Sequence, residues 1–180
     1  MSEVNDLPSA DQYEPFERIY QWRGNDPACA DATRLGENAL KEGRVAAVLL
    51  AGGMASRLGC EFPKGMYPIG FNGESLFEIF ADKIHELQKK YGRFVPLYVM
   101  TSDATDEQTR VFFREQNYFG LPPQDVVFFK QGNQGAVDIV TGKTLYSSPG
   151  VPAVSPDGHG GVFDRVEKIS SFRRHGPARD

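Results

Sequence analysis

One segment of the chain concentrates residues that could bind an anion. Two adjacent glycines, Gly52 and Gly53, follow an apolar run, and Arg57 and Lys64 come shortly after them. Glycines let the backbone approach a ligand and direct amide groups at it, while arginine and lysine supply charge to phosphate oxygens. A tight turn with two solvated surface cations is the alternative interpretation. A turn needs only the glycines, so the segment predicts a phosphate-binding loop.

The spacing excludes two common phosphate-binding motifs. Gly52, Gly53 and Gly59 do not form the G-x-G-x-x-G of dinucleotide sites. Lys64 is followed by Gly65 rather than by serine or threonine, so the chain also lacks G-x-x-x-x-G-K-[ST] at this point. The loop therefore predicts a phosphate site of another class.

The chain beyond position 44 alternates between strand and helix patterns. Buried strands are predicted at 45–50, 94–102 and 125–132, and helices at 74–91 and 105–116. This order and spacing predict right-handed parallel crossovers and a Rossmann-like α/β sheet, with the first strand buried on both faces. Ligands of such sheets bind beyond the carboxyl ends of the strands, where the glycine loop lies.

The helices predicted at 74–91 and 105–116 both begin with a capping signal. Ser75 with Glu78, and Thr105 with Gln108, have the spacing of a capping box. The apolar face of the first helix is predicted from residues at helical spacing: Leu76, Phe80, Ile84 and Leu87.

Two further regions flank or interrupt this pattern. Helices are predicted at 13–22 and 32–42, so residues 1–44 form a predicted helical extension and 45–180 the main domain. Residues 132–154 are rich in glycine, proline and serine, which predicts a long functional loop or a small excursion.

Composition narrows the class of protein. The 180 residues carry a formal net charge of −4 and a pI near 5.4, which argues against nucleic-acid or anionic-membrane partners. The first ten residues lack a basic start and an apolar run, and the longest apolar run, 45–51, is too short to span a bilayer. Cys29 and Cys60 form no metal or redox motif and are expected to be free thiols. We expect a cytoplasmic protein.

The motifs together resemble a known family. "LAGGMASRLG" followed by "PKGMYPIG" is similar to the signature of the UTP-dependent sugar-1-phosphate uridylyltransferases, above all the UDP-N-acetylglucosamine pyrophosphorylase branch. Further matching segments follow in family order: "SLFEIFADKI", "VMTSDAT", "FFREQNYFGL", "VVFFKQG" and "SPDGHGG". The resemblance implies a glycosyltransferase-A-like nucleotidyltransferase sheet. It also implies that UTP and a sugar 1-phosphate form a UDP-sugar, most readily UDP-N-acetylglucosamine, and pyrophosphate.

The resemblance assigns roles to individual positions. Gln131 matches the glutamine that reads uracil, and a primary amide suits the donor–acceptor edge of that base. Gly158 matches a glycine packed against the base, and His159 a position facing the nucleotide and the sugar phosphate. Arg57 and Lys64 match the catalytic cations that bind the triphosphate. The backbone that binds the base and ribose matches four residues: Leu50, Ala51, Gly52 and Gly53.

The resemblance also implies Mg²⁺ bridging the phosphates, with its carboxylate ligand expected beyond this chain. We therefore expect an amino-terminal portion of such an enzyme, with 45–180 a partial UTP-binding domain. Three alternatives stay open. They are a UDP-glucose pyrophosphorylase, an inactive nucleotide-binding fragment, and a non-catalytic α/β interaction domain.

Overall fold

The computed structural model describes residues 27–163 together with Arg165 and Ile169. The helix predicted at 13–22 lies outside the described residues. Contacts divide the chain into two units after Asn38, so the predicted domain boundary at 44/45 stays a prediction. The first helix, α1, runs Pro27–Lys41 and begins earlier than predicted. Proline is tolerated at the first helical position because its missing N–H would have had no partner there.

The second unit contains the predicted α/β sheet. Its strands are β1 (Ala47–Leu50), β2 (Leu97–Thr101) and β3 (Val126–Lys130), and they pair in parallel in the order β1-β2-β3. The connecting helices are α2 (Leu76–Tyr91) and α3 (Asp106–Glu115). The α/β prediction is confirmed. In the described part of the chain, no helix has both the length and the apolar character needed to cross a bilayer.

An aromatic core packs the helices against the sheet. Phe113 is fully buried, and its ring centroid lies 5.1 Å from that of Phe77, 5.1 Å from that of Phe119 and 5.2 Å from that of Phe128. Burying each such ring stabilises the fold by roughly 1.5–3 kcal/mol. The core therefore joins α2, α3 and β3 and supports the sheet under the glycine loop.

The prediction that β1 is buried on both faces is wrong. Ala47 and Leu49 pack against the core, but Val48 is 43% and Leu50 41% exposed. Among the described strands β1 lies at the edge of the sheet, whereas the central strand β2 is buried along its whole length. A continuous apolar run cannot distinguish these two positions.

The helix starts are partly as predicted. Ser75 caps α2 and its hydroxyl accepts a hydrogen bond of 3.1 Å from the Glu78 amide. The predicted apolar face of α2 is confirmed at Ile84, which is buried, and at Leu87, which packs partly buried against the core. Leu76 and Phe80 are only partly buried, because the fully buried stripe runs through Phe77 and Ala81 instead. Thr105 is the N-cap residue of α3 as predicted, but its side chain makes no capping bond, so the capping box with Gln108 does not form.

Residues 133–156 form the small excursion rather than an irregular loop. Its base is the antiparallel pair β4 (Asn133–Gly135) and β7 (Val154–Pro156), and its tip the pair β5 (Tyr146–Ser148) and β6 (Val151–Pro152). The excursion leaves the carboxyl end of β3 and returns to it. Residues after β7 are thereby brought back to the end of the parallel sheet.

Candidate functional site

A cavity of about 390 Å³ lies at the carboxyl ends of the parallel strands. Its volume is within the range of small-molecule sites. It brings together most of the residues that the sequence predicts for a site: Leu50, Ala51, Gly52, Gly53, Lys64, Gln131 and Gly158.

Backbone hydrogen bonds that continue the parallel strand pairing hold the two sides of this cavity. The Ala51 amide donates a hydrogen bond of 2.7 Å to the Met100 carbonyl, which extends the β1–β2 ladder by one step. On the other side of β2, the Gln131 amide donates one of 2.8 Å to the Thr101 carbonyl. The residues that directly follow β1 and β3 are thus both hydrogen-bonded to β2.

The side chain of Gln131 lies against the backbone of Gly52. A Cβ atom built on Gly52 would be 2.9 Å from Oε1 of Gln131 and 3.2 Å from its Nε2. Such a contact is too close for the present position of the carboxamide, so any side chain at position 52 would displace the flexible end of Gln131. A half-buried amide, with both donor and acceptor atoms, therefore lies in the cavity wall beside the glycine loop.

The glycine loop folds back on itself. The Ala55 amide donates to the Phe62 carbonyl at 2.9 Å, and the Lys64 amide donates to the Gly53 carbonyl at 3.0 Å. These bonds hold Lys64 beside Gly53 although eleven positions separate the two residues. Lys64 is exposed, so its ammonium group brings a positive charge to the rim of the cavity.

Arg57 occupies a different position from Lys64. It lies in the short turn Ser56–Leu58, is exposed, and does not belong to the described lining of the cavity. Gly59 ends this turn with φ +72°, a left-handed conformation that favours glycine. The structure therefore brings one of the two predicted cations to the cavity, and the role of Arg57 stays a prediction.

Gly65 is a cavity residue to which the sequence analysis gave no role. It is buried in the turn Lys64–Met66, and a Cβ atom there would collide with the ring of Phe77. Both residues line the cavity. The sequence signal that could have identified Gly65 is its position directly after Lys64 in the "PKG" segment.

The return of the excursion places Gly158. Asn133 of β4 pairs with Pro156 of β7, and the Asp157 amide donates to the Gly132 carbonyl at 2.9 Å. Gly158 then starts the short turn Gly158–Gly161 with φ +70°. The backbone of His159 follows in that turn, and its side chain lies outside the described part of the structure.

An ion pair fixes the segments on both sides of Gln131. The carboxylate of Asp103, just after β2, accepts hydrogen bonds from Asn133 Nδ2 at 2.9 Å and from Lys130 Nζ at 3.1 Å. The hydrogen bond from Asn133, followed by that from Lys130, holds the pKa of Asp103 below its ordinary value. This exposed carboxylate therefore joins the end of β2 to the residues that flank Gln131.

The residues that the structure describes do not form a Mg²⁺ site. No carboxylate lines the cavity as described, and within residues 27–163 no three side chains of histidine, cysteine, aspartate or glutamate come together as metal ligands. Mg²⁺ prefers carboxylate and water oxygens. Mg²⁺ therefore stays a prediction from the resemblance.

A second, larger groove of about 1080 Å³ runs along α2. Charges of both signs line it, including Lys83 and Lys90 beside Asp82 and Glu86. Such mixed charge gives no net attraction for an anionic ligand, so this groove is not the phosphate site.

Comparison with known proteins agrees with the geometry. A UDP-N-acetylglucosamine pyrophosphorylase of Saccharomyces cerevisiae is 40% identical over 149 residues, which cover 81% of this chain and 31% of the yeast protein. UDP-N-acetylglucosamine diphosphorylase 1 of Arabidopsis thaliana is 40% identical over 141 residues, covering 72% of this chain and 28% of that protein. The crystal structure of a UDP-N-acetylglucosamine pyrophosphorylase from Trypanosoma brucei superposes with a TM-score of 0.67 and 34% identity, covering 75% of this chain and 29% of that one.

The chain thus spans about a third of the length of these relatives. The family model of UTP–glucose-1-phosphate uridylyltransferase matches residues 7–173, nearly the whole sequence. The chain therefore belongs to the UTP–glucose-1-phosphate uridylyltransferase family.

Proposed function

We propose that the protein acts as a uridylyltransferase, which forms a UDP-sugar and pyrophosphate from UTP and a sugar 1-phosphate. The observation that carries this proposal is the Gln131 carboxamide against Gly52, in a cavity with Lys64 at its rim. A group suited to a base and a group suited to phosphate lie at the two sides of one glycine loop.

Gln131 would bind the base. Its carboxamide offers one acceptor and two donors, which complement the adjacent carbonyl and N–H of uracil. The Gln131 backbone is hydrogen-bonded to Thr101, and its carboxamide lies beside the backbone of Gly52 in the cavity wall. A side chain whose backbone is already held loses less conformational freedom when it binds a base.

The reaction needs alignment and charge neutralisation more than acid–base chemistry. An oxygen of the sugar 1-phosphate attacks the α-phosphorus of UTP, and the bond to the bridging oxygen of the β-phosphate breaks, so pyrophosphate leaves. The attacking oxygen is already ionised, so no proton has to be removed. Lys64 would neutralise charge on the phosphates at the cavity rim, and Arg57 would bind phosphate oxygens that extend beyond it.

The sugar is proposed to be N-acetylglucosamine 1-phosphate rather than glucose 1-phosphate. The relatives at 34–40% identity are named as UDP-N-acetylglucosamine enzymes. By the resemblance to the family, His159 would face the sugar phosphate of either sugar; its backbone follows Gly158 in the turn Gly158–Gly161.

Calorimetric titration of the chain with UTP and ATP, each with and without Mg²⁺, tests the base site. We expect UTP to bind and ATP to bind at least about tenfold more weakly, because the purine does not offer the uracil pattern. The matched variant Gln131→Glu keeps the shape but loses the amide donor, and should bind UTP about tenfold more weakly. A folded chain that binds both nucleotides equally, or neither, would contradict the proposal.

A pyrophosphate-release assay with UTP and each of the two sugar phosphates then separates the open alternatives. Release with N-acetylglucosamine 1-phosphate supports the proposed enzyme, and preferential release with glucose 1-phosphate supports the UDP-glucose alternative. UTP binding without release would identify a nucleotide-binding fragment.

A further inference from the structure

The hydroxyl of Thr105 links the start of α3 to the glycine loop. Thr105 is fully buried, and its Oγ1 donates a hydrogen bond of 2.9 Å to the carbonyl oxygen of Ala51, 54 positions earlier in the chain. The amide of Ala51 is already bonded to Met100 in β2. The peptide groups on both sides of Ala51 are therefore held by neighbouring segments.

The donor and acceptor roles around Thr105 follow from the chemistry of the groups. A carbonyl oxygen can only accept, so the single hydroxyl proton of Thr105 goes to Ala51. The Ser102 amide nitrogen lies 3.0 Å and the Ser102 Oγ 3.1 Å from Thr105 Oγ1, and both must therefore donate to it. Ser102 is also buried. One donor bond and two acceptor bonds use the full capacity of the Thr105 hydroxyl and fix its direction.

This arrangement determines the direction of the next amide group. In a trans peptide the C=O and the following N–H point in opposite directions, so holding the Ala51 carbonyl turns the Gly52 N–H away from Thr105. Gly52 lines the cavity and Thr105 does not. Within the described residues the Gly52 and Gly53 amides donate to no backbone carbonyl. A glycine backbone has no side chain to restrict it, so its orientation has to be set from outside.

We propose that Thr105, oriented by Ser102, is a positioning residue that fixes the Ala51–Gly52 peptide so that the Gly52 N–H faces the nucleotide. The inference rests on the proposed function, because it takes the cavity to bind a uridine nucleotide. Thr105 itself touches no ligand and acts only through this peptide group. A residue outside the cavity thereby controls the affinity of the glycine loop.

The chain contains a matched control on the same helix. Thr109 is also fully buried in α3, but its Oγ1 has no hydrogen-bond partner among the described residues. Thr105→Val and Thr109→Val make the same chemical change one helical turn apart. Thr105→Ser restores the hydroxyl at the first position, and Ser102→Ala removes one of its two donors while leaving the bond to Ala51.

Two measurements on the full 180-residue chain test the proposal. The first is the dissociation constant of UTP, measured at a temperature where circular dichroism shows each variant to be folded. Thr105→Val should weaken UTP binding by about tenfold, whereas Thr105→Ser and Thr109→Val should stay within about threefold of the unchanged chain. The second is the amide NMR signal of Gly52 without ligand, which should broaden in Thr105→Val and stay sharp in Thr109→Val.

Each result decides a separate question. Unchanged UTP affinity with a sharp Gly52 signal in Thr105→Val would overturn the positioning role, as would equal loss of affinity in Thr109→Val. Failure of the unchanged chain to bind UTP would contradict the proposed function, and the Gly52 signal would still decide the role of Thr105. If Thr105→Val does not fold, Thr105→Ala takes its place, because it also removes the hydroxyl that bonds to Ala51. A Gly52 signal in Thr105→Ala identical to that of the unchanged chain would then count against the proposal.

Discussion

The carboxamide of Gln131 lies against the backbone of Gly52, with 2.9 Å between its Oε1 and the position that a Cβ atom on Gly52 would occupy. Gly52 follows β1 and Gln131 follows β3, and β2 separates these two strands in the sheet. The contact crosses the end of the central strand and closes one wall of the cavity. An alanine at position 52 and the present side chain of Gln131 cannot occupy their places together.

Gly52→Ala should therefore weaken UTP binding by more than about tenfold, because the added methyl group displaces the Gln131 amide from its place. The long side chain of Gln131 can move, so the free energy of unfolding should fall by only about 1 kcal/mol. Titration calorimetry and urea unfolding measure the two effects. Gly135→Ala is the control, because a Cβ atom there meets nothing within 4 Å. Wild-type UTP affinity in Gly52→Ala would contradict the arrangement.

Gly65→Ala should act on stability instead. A Cβ atom on Gly65 collides with the ring of Phe77, which is 1% exposed and packed in the aromatic core, so neither residue can move cheaply. We expect the free energy of unfolding in urea to fall by about 1–3 kcal/mol. Gly65→Ala should lower the free energy of unfolding less in a Phe77→Leu background than in the unchanged chain, because the smaller leucine leaves room for the added methyl group. Strict additivity of the two substitutions would show that the collision does not occur.

The sequence predicted the elements of this fold well where the signals are local. The strands β2 and β3 lie within their predicted segments, because continuous apolar runs bounded by glycine, proline and polar residues fix them without reference to the rest of the chain. The capping of α2 by Ser75 is local in the same sense, since its partner Glu78 lies in the same helical turn.

What the sequence could not predict depends on partners far along the chain. Thr105 has the residue type and spacing of a helix cap, yet its hydroxyl bonds to Ala51, 54 positions away, and no local pattern shows this. The need for glycine at position 65 depends on the ring of Phe77 in another element. Likewise, the exposure of Val48 follows from the place of β1 in the sheet, which its own composition does not encode.

Lys64→Met should separate phosphate binding from stability. The side chain of Lys64 is exposed at the cavity rim, so its replacement should change the free energy of unfolding by less than about 0.5 kcal/mol. Loss of a charge-assisted contact should weaken UTP binding by about tenfold but leave uridine binding within about twofold. Calorimetry with the two ligands measures this difference. Equal weakening of both would show that Lys64 contacts the nucleoside rather than the phosphates.

The last prediction concerns Asp106, which ties α3 to β2. Its carboxylate accepts hydrogen bonds from Thr101 Oγ1 at 2.6 Å and from Arg110 Nε at 2.9 Å. Burial by itself raises the pKa of Asp106, but the bonds from Thr101 and Arg110, together with the charges of Arg110 and Lys130, outweigh it. The pKa of the folded state is therefore lower than the ordinary value. A carboxyl group with a lowered pKa stabilises the fold above its unfolded pKa of about 3.9, and this stabilisation is lost as the pH falls through the folded pKa.

Asp106→Asn should accordingly lower the free energy of unfolding by about 1–2 kcal/mol at pH 7, because it removes the charge from both hydrogen bonds. The difference from the unchanged chain should shrink as the pH falls below about 4, where the carboxyl group becomes protonated. Urea unfolding of both chains at a series of pH values measures this difference in the free energy of unfolding. Glu107→Gln is the control, since Glu107 is 85% exposed and lies 4.0 Å from Arg114, so its effect should stay within about 0.5 kcal/mol. A constant difference between Asp106→Asn and the unchanged chain from pH 7 down to pH 2 would show that the carboxylate charge does not stabilise this junction.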